Sequence, residues 1–141
     1  MDPRLRKIAP LAAVALLAVT AAAAFAPYLN APFLFDDLHT IVENPALKTL
    51  NPIYFLTHPE SASRLPGTMV RPLLTLSYAL DFHRAGPDPA AFRLVNIMLH
   101  ILNALLVSAL IGRTRLRTWR LEAGLIFLLI PLAAIQVGYI S

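Results

Sequence analysis

The sequence contains no cysteine, and only 14% of its 141 residues are charged. The absence of cysteine excludes a disulfide framework, a thiol nucleophile and a thiolate metal site. Because 57% of the residues are hydrophobic, the chain is too apolar for an ordinary soluble domain of this length, and a membrane protein is expected. The net charge of +4 is too small to indicate nucleic-acid binding by itself.

Catalytic motifs with a fixed pattern are also missing. The chain has neither a glycine-rich phosphate loop nor a GxSxG nucleophile elbow, and its four histidines do not have metal-ligand spacing. No metal site is therefore predicted. The cofactor is left unknown, because an aspartate pair can bind a divalent cation but the residues around it offer no further ligand set.

Three apolar stretches are long enough to cross a membrane as helices. They cover residues 8–29, 92–111 and 121–140. The first contains no charged residue, and its 22 residues would extend about 33 Å, against a hydrocarbon core of about 30 Å. A cleaved signal peptide is the alternative interpretation, since a basic segment precedes this stretch and Ala-Phe-Ala precedes Pro27. The sequence predicts an all-α integral membrane protein with three transmembrane helices.

The distribution of charge predicts how these helices are oriented. Residues 1–7 are basic, and residues 112–120, between the second and third stretches, contain four arginines. By the positive-inside rule both segments are cytoplasmic. Residues 30–91, which hold six of the eight acidic residues, then form an external loop. A bacterial inner membrane is the expected location.

The external loop is expected to contain short helices and one longer helix. Asn44 with Pro45, and Pro52 further on, are typical of helix starts. In residues 71–89 the alternation of apolar side chains alone favours a strand. Pro72 suits a first helical turn, however, leucine is a good helix former, and a lone strand would have no partner. We therefore predict a helix lying at the membrane surface.

Four polar residues share one face of the second predicted span. They are Arg93, Asn96, His100 and Asn103. Their spacing places them within roughly 80° of one another around the helix axis. Since polar groups that face lipid are costly, this polar stripe should face other helices or a water-filled cavity. It is either a set of interhelical hydrogen bonds or the wall of a substrate site, with Arg93 nearest the outer opening.

The third predicted span also carries polar features. Pro131 interrupts the helical hydrogen bonds and predicts a kink, and Gln136 brings a side-chain amide into the apolar stretch. Three helices alone could hardly satisfy these groups together with the polar stripe. Contacts with membrane lipid and with other membrane protein subunits are therefore expected.

Asp36 and Asp37 follow the first span closely. Adjacent residues point in different directions on a regular backbone, so a turn would have to shape the pair for both to act together. One interpretation is a helix N-cap, in which a carboxylate accepts from the next amides. The other is a general base or cation ligand at the membrane interface. Arg71, directly before Pro72, could clamp a phosphate or pair with a loop carboxylate.

The order of several short motifs resembles the start of polytopic GT-C-type glycosyltransferases. The motifs are FDD at 35–37, RPLLTLSYALDF at 71–82, FRLVNIMLH at 92–100 and YIS at 139–141. The likeness covers nearly the whole chain. It is greatest to protein O-mannosyltransferase-like membrane proteins that carry tetratricopeptide repeats. The resemblance implies transfer of a sugar from a polyprenyl-phosphate carrier to an acceptor on the external face.

The same resemblance implies roles for particular residues. Asp36 or Asp37 would be the catalytic base, and Arg71 would lie near the carrier phosphate. Asn96 and His100 would support the site, and Arg93, which stands where the family often has a histidine, completes the substrate-binding candidates.

The chain also departs from the family pattern. Ile130, Ala133 and Ile135 stand where relatives typically have two histidines and a glutamate, and family members have many more spans. The expectation is an N-terminal portion with degenerate motifs. It is either part of a glycosyltransferase with an aspartate base, or a non-catalytic accessory subunit that packs against a larger complex.

Overall fold

The computed structural model describes residues 3–65 and 71–140, without the side chains of residues 3–11, 133, 134 and 136. All regular elements in these ranges are helical, which confirms the predicted all-α class for this part of the chain. The α-helices are α1 (Pro3–Leu29), α2 (Pro52–Thr57), α3 (Pro72–Ala85), α4 (Pro89–Ile111), α5 (Arg120–Leu129) and α6 (Pro131–Gly138). A π-helix (Leu38–Val42) and 3-10 turns at Pro45–Lys48, Pro59–Ala62 and Arg117–Trp119 lie between them.

Helices α1 and α4 are the two described helices that are long and apolar enough to cross a membrane. Their spans cover Ala12–Leu29 and Pro89–Ile111, and little of either is covered by other parts of the protein. A signal sequence would also be a long apolar helix at the position of α1, so the signal-peptide alternative stays open. The prediction for the alternating stretch is confirmed: α3 is a helix that begins at Pro72. Its place at the membrane surface stays a prediction.

The prediction of a third transmembrane helix is wrong. The stretch 121–140 holds two short helices, α5 and α6, of 10 and 8 residues, and neither is long enough to span a bilayer. The break falls at Ile130, whose φ of −59° and ψ of 131° are extended rather than helical. The ring of Pro131 disfavours a helical conformation for the residue before it and removes one helical N–H. Pro131 therefore ends one helix and begins the next, instead of kinking a continuous one.

The chain divides into two compact units, each with its own core. The first, here called the long-helix unit, comprises Met1–Leu29 and Leu94–Gly138. Its buried apolar residues are Leu17, Ala21, Phe25, Ile97, Ala104, Leu128 and Val137. A Cβ on Gly124 would come within 3.1 Å of the Ala104 carbonyl oxygen and 3.2 Å of the Ser108 Cβ. Glycine therefore permits the close approach of α5 to α4.

The second, here called the loop unit, comprises Asn30–Arg93 and Tyr139–Ser141. Its buried apolar residues are Ile41, Ala46, Leu47, Phe55, Tyr78, Ala79, Phe92 and Ile140. The predicted helix start at Asn44 is confirmed, because its Oδ1 accepts from the Ala46 N–H at 3.0 Å. The Asn44 amide also donates to the carbonyl oxygens of Ser61, at 2.9 Å, and Thr40, at 3.1 Å. One buried asparagine thus connects three segments of the loop unit.

Candidate functional site

The two adjacent aspartates lie in different surroundings. The side chain of Asp36 is 68% exposed, whereas Asp37 is fully buried. Directly before them Phe35 has a φ of 38°, a left-handed conformation that costs a non-glycine residue about 1–3 kcal/mol. Asp36 is therefore accessible to a ligand from solvent, and Asp37 is not.

Asp37 is held by the backbone and by nearby polar groups. Its Oδ2 accepts from the Leu34 N–H at 3.1 Å, and its own N–H donates to the Leu34 carbonyl oxygen at 2.9 Å. It precedes the π-helix, but its carboxylate makes no capping bond to the amides that follow. The N-cap interpretation is therefore wrong for Asp37. Its negative charge acts instead on Arg93 and Tyr78.

Arg93 lies in the first turns of α4, and its guanidinium is fully buried. It donates to the backbone carbonyl oxygens of Ala31 and Pro32, the latter at 2.6 Å. A buried cation needs both hydrogen bonds and a compensating charge, and Asp37 supplies the charge. Within the loop unit, Arg93 thus connects residues 31–32 to the first turns of α4, and two of its donors are directed at backbone.

Tyr78 lies on α3 with only 7% of its surface exposed. Its hydroxyl donates to the carbonyl oxygen of Ile140. Burial raises the pKa of Tyr78 to about 12, the negative charge of Asp37 adds to the increase, and the positive charge of Arg71 opposes it. The phenol therefore stays protonated at any physiological pH and can act here as a hydrogen-bond donor.

Two other predicted site residues, Asp37 and Arg71, act electrostatically on Tyr78 or Arg93. Asp37 acts on both, and Arg71 acts on Tyr78. Arg71 is exposed at the start of α3, and its carbonyl oxygen accepts from the Thr75 hydroxyl at 2.9 Å. The loop unit thus brings together parts of the four motifs, around one fully buried carboxylate.

His100 belongs to the long-helix unit and is buried. Its Nε2 donates to the carbonyl oxygen of Leu128 at 3.1 Å, in the last turn of α5. A helix end leaves its last carbonyls without helical partners, and His100 satisfies one that the break at Pro131 creates. The imidazole also contacts the rings of Phe25 and Phe127, at centroid distances of 5.7 and 5.3 Å. These contacts give His100 a structural role.

The four residues of the polar stripe on α4 differ in how deeply they are buried. Arg93 and His100 are buried, Asn96 is half-buried and Asn103 is exposed. Arg93 belongs to the loop unit and the other three to the long-helix unit. The side chain of Gln136 lies outside the described residues, so its predicted interhelical contact stays a prediction.

A chain of hydrogen bonds leads away from the exposed aspartate. Asp36 Oδ1 lies 3.3 Å from Nε2 of His39, and His39 Nδ1 lies 2.7 Å from Oγ of Ser63. Ser63 is buried and lines an open cleft of about 670 Å³. Among the residues 3–65 and 71–140, no three His, Asp or Glu side chains are grouped so that they could hold a metal ion.

His39, Ser63 and Tyr78 are not among the site residues predicted from the sequence. His39 follows Asp36 by three residues, a spacing that brings side chains together on one helical turn, and this was a usable signal. In the sequence Tyr78 is one apolar position in an alternating stretch, with nothing to mark its hydroxyl. Ser63 lies 24 positions from His39, and no local pattern indicates a contact at that separation.

Several proteins with similar sequences share the name protein O-mannosyl-transferase. Over 126 residues, 82% of this chain, the sequence is 36% identical to the protein O-mannosyl-transferase Tmtc1 of Drosophila melanogaster. It is 36% identical to the protein O-mannosyl-transferase tmtc2 of Xenopus laevis over 70% of the chain, and 29% identical to human TMTC1 over 76%.

The matched segment covers only 13–14% of these relatives. No protein-family model matches the chain. No solved structure matches it either. The similarity agrees with the resemblance drawn from the motifs, and it extends over most of the chain although the relatives are far longer.

Proposed function

We propose that this chain is part of a membrane glycosyltransferase that transfers mannose from a polyprenyl-phosphate carrier to a protein hydroxyl. Relatives named as protein O-mannosyl-transferases match 70–82% of the chain at 36% identity, and two helices are apolar enough to span a membrane. The observation that carries the proposal is the exposed carboxylate of Asp36, which follows a left-handed residue and precedes a buried, charge-balanced aspartate.

In this proposal Asp36 is the catalytic base. The acceptor hydroxyl loses its proton to Asp36 as its oxygen attacks the anomeric carbon, and the bond from that carbon to the carrier phosphate breaks with the electron pair on the phosphate. Asp37 does not take part in proton transfer, because it is buried and its charge is balanced by Arg93. Its role is to hold the turn that presents Asp36.

Arg71 is the residue we propose for binding the carrier phosphate. Its side chain is exposed at the start of α3, where its planar guanidinium could bind two phosphate oxygens at once. Arg93 and His100 both hydrogen-bond to backbone carbonyl oxygens, and the bond from His100 on α4 to Leu128 on α5 is of the interhelical kind that is one of the two alternatives for the polar stripe. We assign them to the scaffold, and a substrate contact by Asn96 stays a prediction.

The proposal is tested by measuring mannose transfer in membranes that contain the native polypeptide or its variants. Asp36→Asn should lower transfer about 100-fold or more, since removing a general base typically costs 10²- to 10⁴-fold. Asp88→Asn is the matched control, because Asp88 is another exposed aspartate of the loop unit. Transfer that survives Asp36→Asn unchanged, in protein of normal abundance, would remove Asp36 as the base and overturn the proposal.

A second candidate function is the non-catalytic accessory subunit. It is favoured by large apolar side chains that the loop unit leaves exposed, among them Leu73 at 78%, Ile53 at 65% and Leu56 at 64%. Exposed apolar surface of this kind indicates a binding partner or a membrane. If transfer is unaffected by Asp36→Asn while the native protein copurifies with other membrane subunits, this second function becomes the better explanation.

A further inference from the structure

The hydrogen bonds on either side of His39 define which nitrogen carries the proton. An ionised carboxylate can only accept, so Nε2 must carry a hydrogen to bond Asp36. In the neutral ring Nδ1 is then unprotonated, and it accepts from the Ser63 hydroxyl at 2.7 Å. The Ser63 oxygen also accepts from the Leu65 N–H at 3.0 Å. The imidazole is therefore hydrogen-bonded at both nitrogens, and a single side-chain rotamer makes both bonds.

The far end of this chain of bonds is firmly placed. Ser63 is only 6% exposed, and the segment around it is fixed to the π-helix by an Arg64 N–H bond to the His39 carbonyl oxygen at 3.1 Å. Arg64 also forms an ion pair with Glu43 at 3.3 Å. His39 itself is 21% exposed at the side chain, so it bridges a buried serine and the exposed Asp36.

We propose that His39 is a positioning residue that holds the Asp36 carboxylate in the orientation needed for transfer. The inference rests on the proposed role of Asp36 as base. An exposed aspartate samples several rotamers, and fixing one oxygen on Nε2 leaves the other oxygen free to accept a proton from the acceptor hydroxyl. The Thr40 hydroxyl holds the backbone at the same position, since it donates to the Asp36 carbonyl oxygen at 2.6 Å.

Two substitutions at His39 separate its two hydrogen bonds. The amide of Gln places a donor near the position of Nε2, so His39→Gln keeps a bond to Asp36. The shorter Asn places its amide near Nδ1, so His39→Asn can reach Ser63 but not Asp36. We expect His39→Asn to lower kcat about 30-fold with KM little changed, and His39→Gln to retain kcat within about threefold, because small misplacements of a catalytic group are costly.

The matched control is His58→Gln. His58 is another histidine of the loop unit, exposed and stacked on Tyr54 with centroids 4.3 Å apart, and its substitution should leave transfer unchanged. A role limited to fold stability would be revealed if Gln and Asn at position 39 lowered kcat equally or in the reverse order. Either result would overturn the positioning role.

A spectroscopic experiment tests the contact between His39 and Asp36 without measuring mannose transfer. In protein labelled with ¹⁵N at histidine, the Nε2–H of His39 should exchange slowly with water, and Asp36→Ala, which removes the acceptor oxygen, should accelerate that exchange at least tenfold. Asp88→Ala should not. If the exchange rate does not respond to Asp36→Ala, the proposed bond is absent and the inference fails. If the rate responds while Asp36→Asn leaves transfer intact, the bond exists but the proposed base, and with it the positioning role, is wrong.

Discussion

Tyr78 donates a hydrogen bond to the backbone carbonyl oxygen of Ile140, 62 residues further along the chain. The contact joins α3 to residues 139–140, which follow α6 and belong to the loop unit. A buried carbonyl without a partner is costly, so this single hydroxyl has a clear stabilising function. It also explains how two motifs that are far apart in the sequence come to lie in one unit.

Replacing Tyr78 by Phe should reduce the free energy of unfolding by about 1–2 kcal/mol, because the aromatic ring stays but the Ile140 carbonyl loses its donor. The measurement is denaturant unfolding in detergent micelles, with Tyr28→Phe as the control at an exposed tyrosine. A loss for Tyr78→Phe no larger than that of the control would contradict the assignment.

The same residue predicts a loss of stability at high pH. The pKa of Tyr78 is about 12 in the folded protein and close to 10 when the chain is unfolded, so the folded state holds this proton more tightly. The contribution of this raised pKa to the free energy of unfolding is complete below pH 10 and should disappear as pH rises from about 10 to 12. Unfolding curves between pH 9 and 12 should therefore fall more steeply for the wild type than for Tyr78→Phe, and parallel curves would refute the burial of the phenol.

Some elements of the fold follow from local sequence signals, and others do not. The helix at α3 was predictable, because Pro72 and the leucines after it favour a helix over several neighbouring residues. The third span was not, because an average of hydropathy over 20 residues does not register that Pro131 forces Ile130 into an extended conformation. The bond from His39 to Ser63 is a tertiary contact between residues 24 positions apart, which no sequence period reports.

Arg93 and Asp37 should be energetically coupled. Arg93→Ala removes the donors to Ala31 and Pro32 and leaves a buried carboxylate without its compensating charge, so unfolding should be easier by about 3 kcal/mol or more. In the Arg93→Ala protein, adding Asp37→Asn should recover part of that loss, because the uncompensated charge is gone. Strictly additive effects in this double-mutant cycle would show that the two side chains do not interact.

His100 and Pro131 should be coupled through the broken helix. His100→Leu leaves the Leu128 carbonyl oxygen without its donor and should cost about 1–3 kcal/mol. Pro131→Ala allows α5 and α6 to join, and the Leu132 N–H could then bond that carbonyl in a regular helix. The cost of His100→Leu, measured by denaturant unfolding, should therefore be smaller in the Pro131→Ala protein. Equal costs in the two proteins would count against the idea that His100 satisfies a helix end.

Arg71 should affect binding of the lipid-linked donor more than the rate of transfer. Arg71→Gln removes the positive charge at the start of α3 and should raise KM for polyprenyl-phosphate mannose about 10-fold, since a charge-assisted bond contributes roughly 1.5–3 kcal/mol. Arg71→Lys keeps the charge but not the planar fork, so an intermediate KM is expected.

Arg84→Gln is the control for this measurement. Arg84 is an exposed arginine at the other end of α3, where it pairs with Asp81 at 3.0 Å. If the phosphate binds through general attraction to a positive surface, the two glutamine variants should raise KM by the same factor, and the effect of both should vanish in high salt. A bidentate contact at Arg71 predicts the opposite: only the substitution at position 71 raises KM, and part of the increase persists when exposed charges are screened.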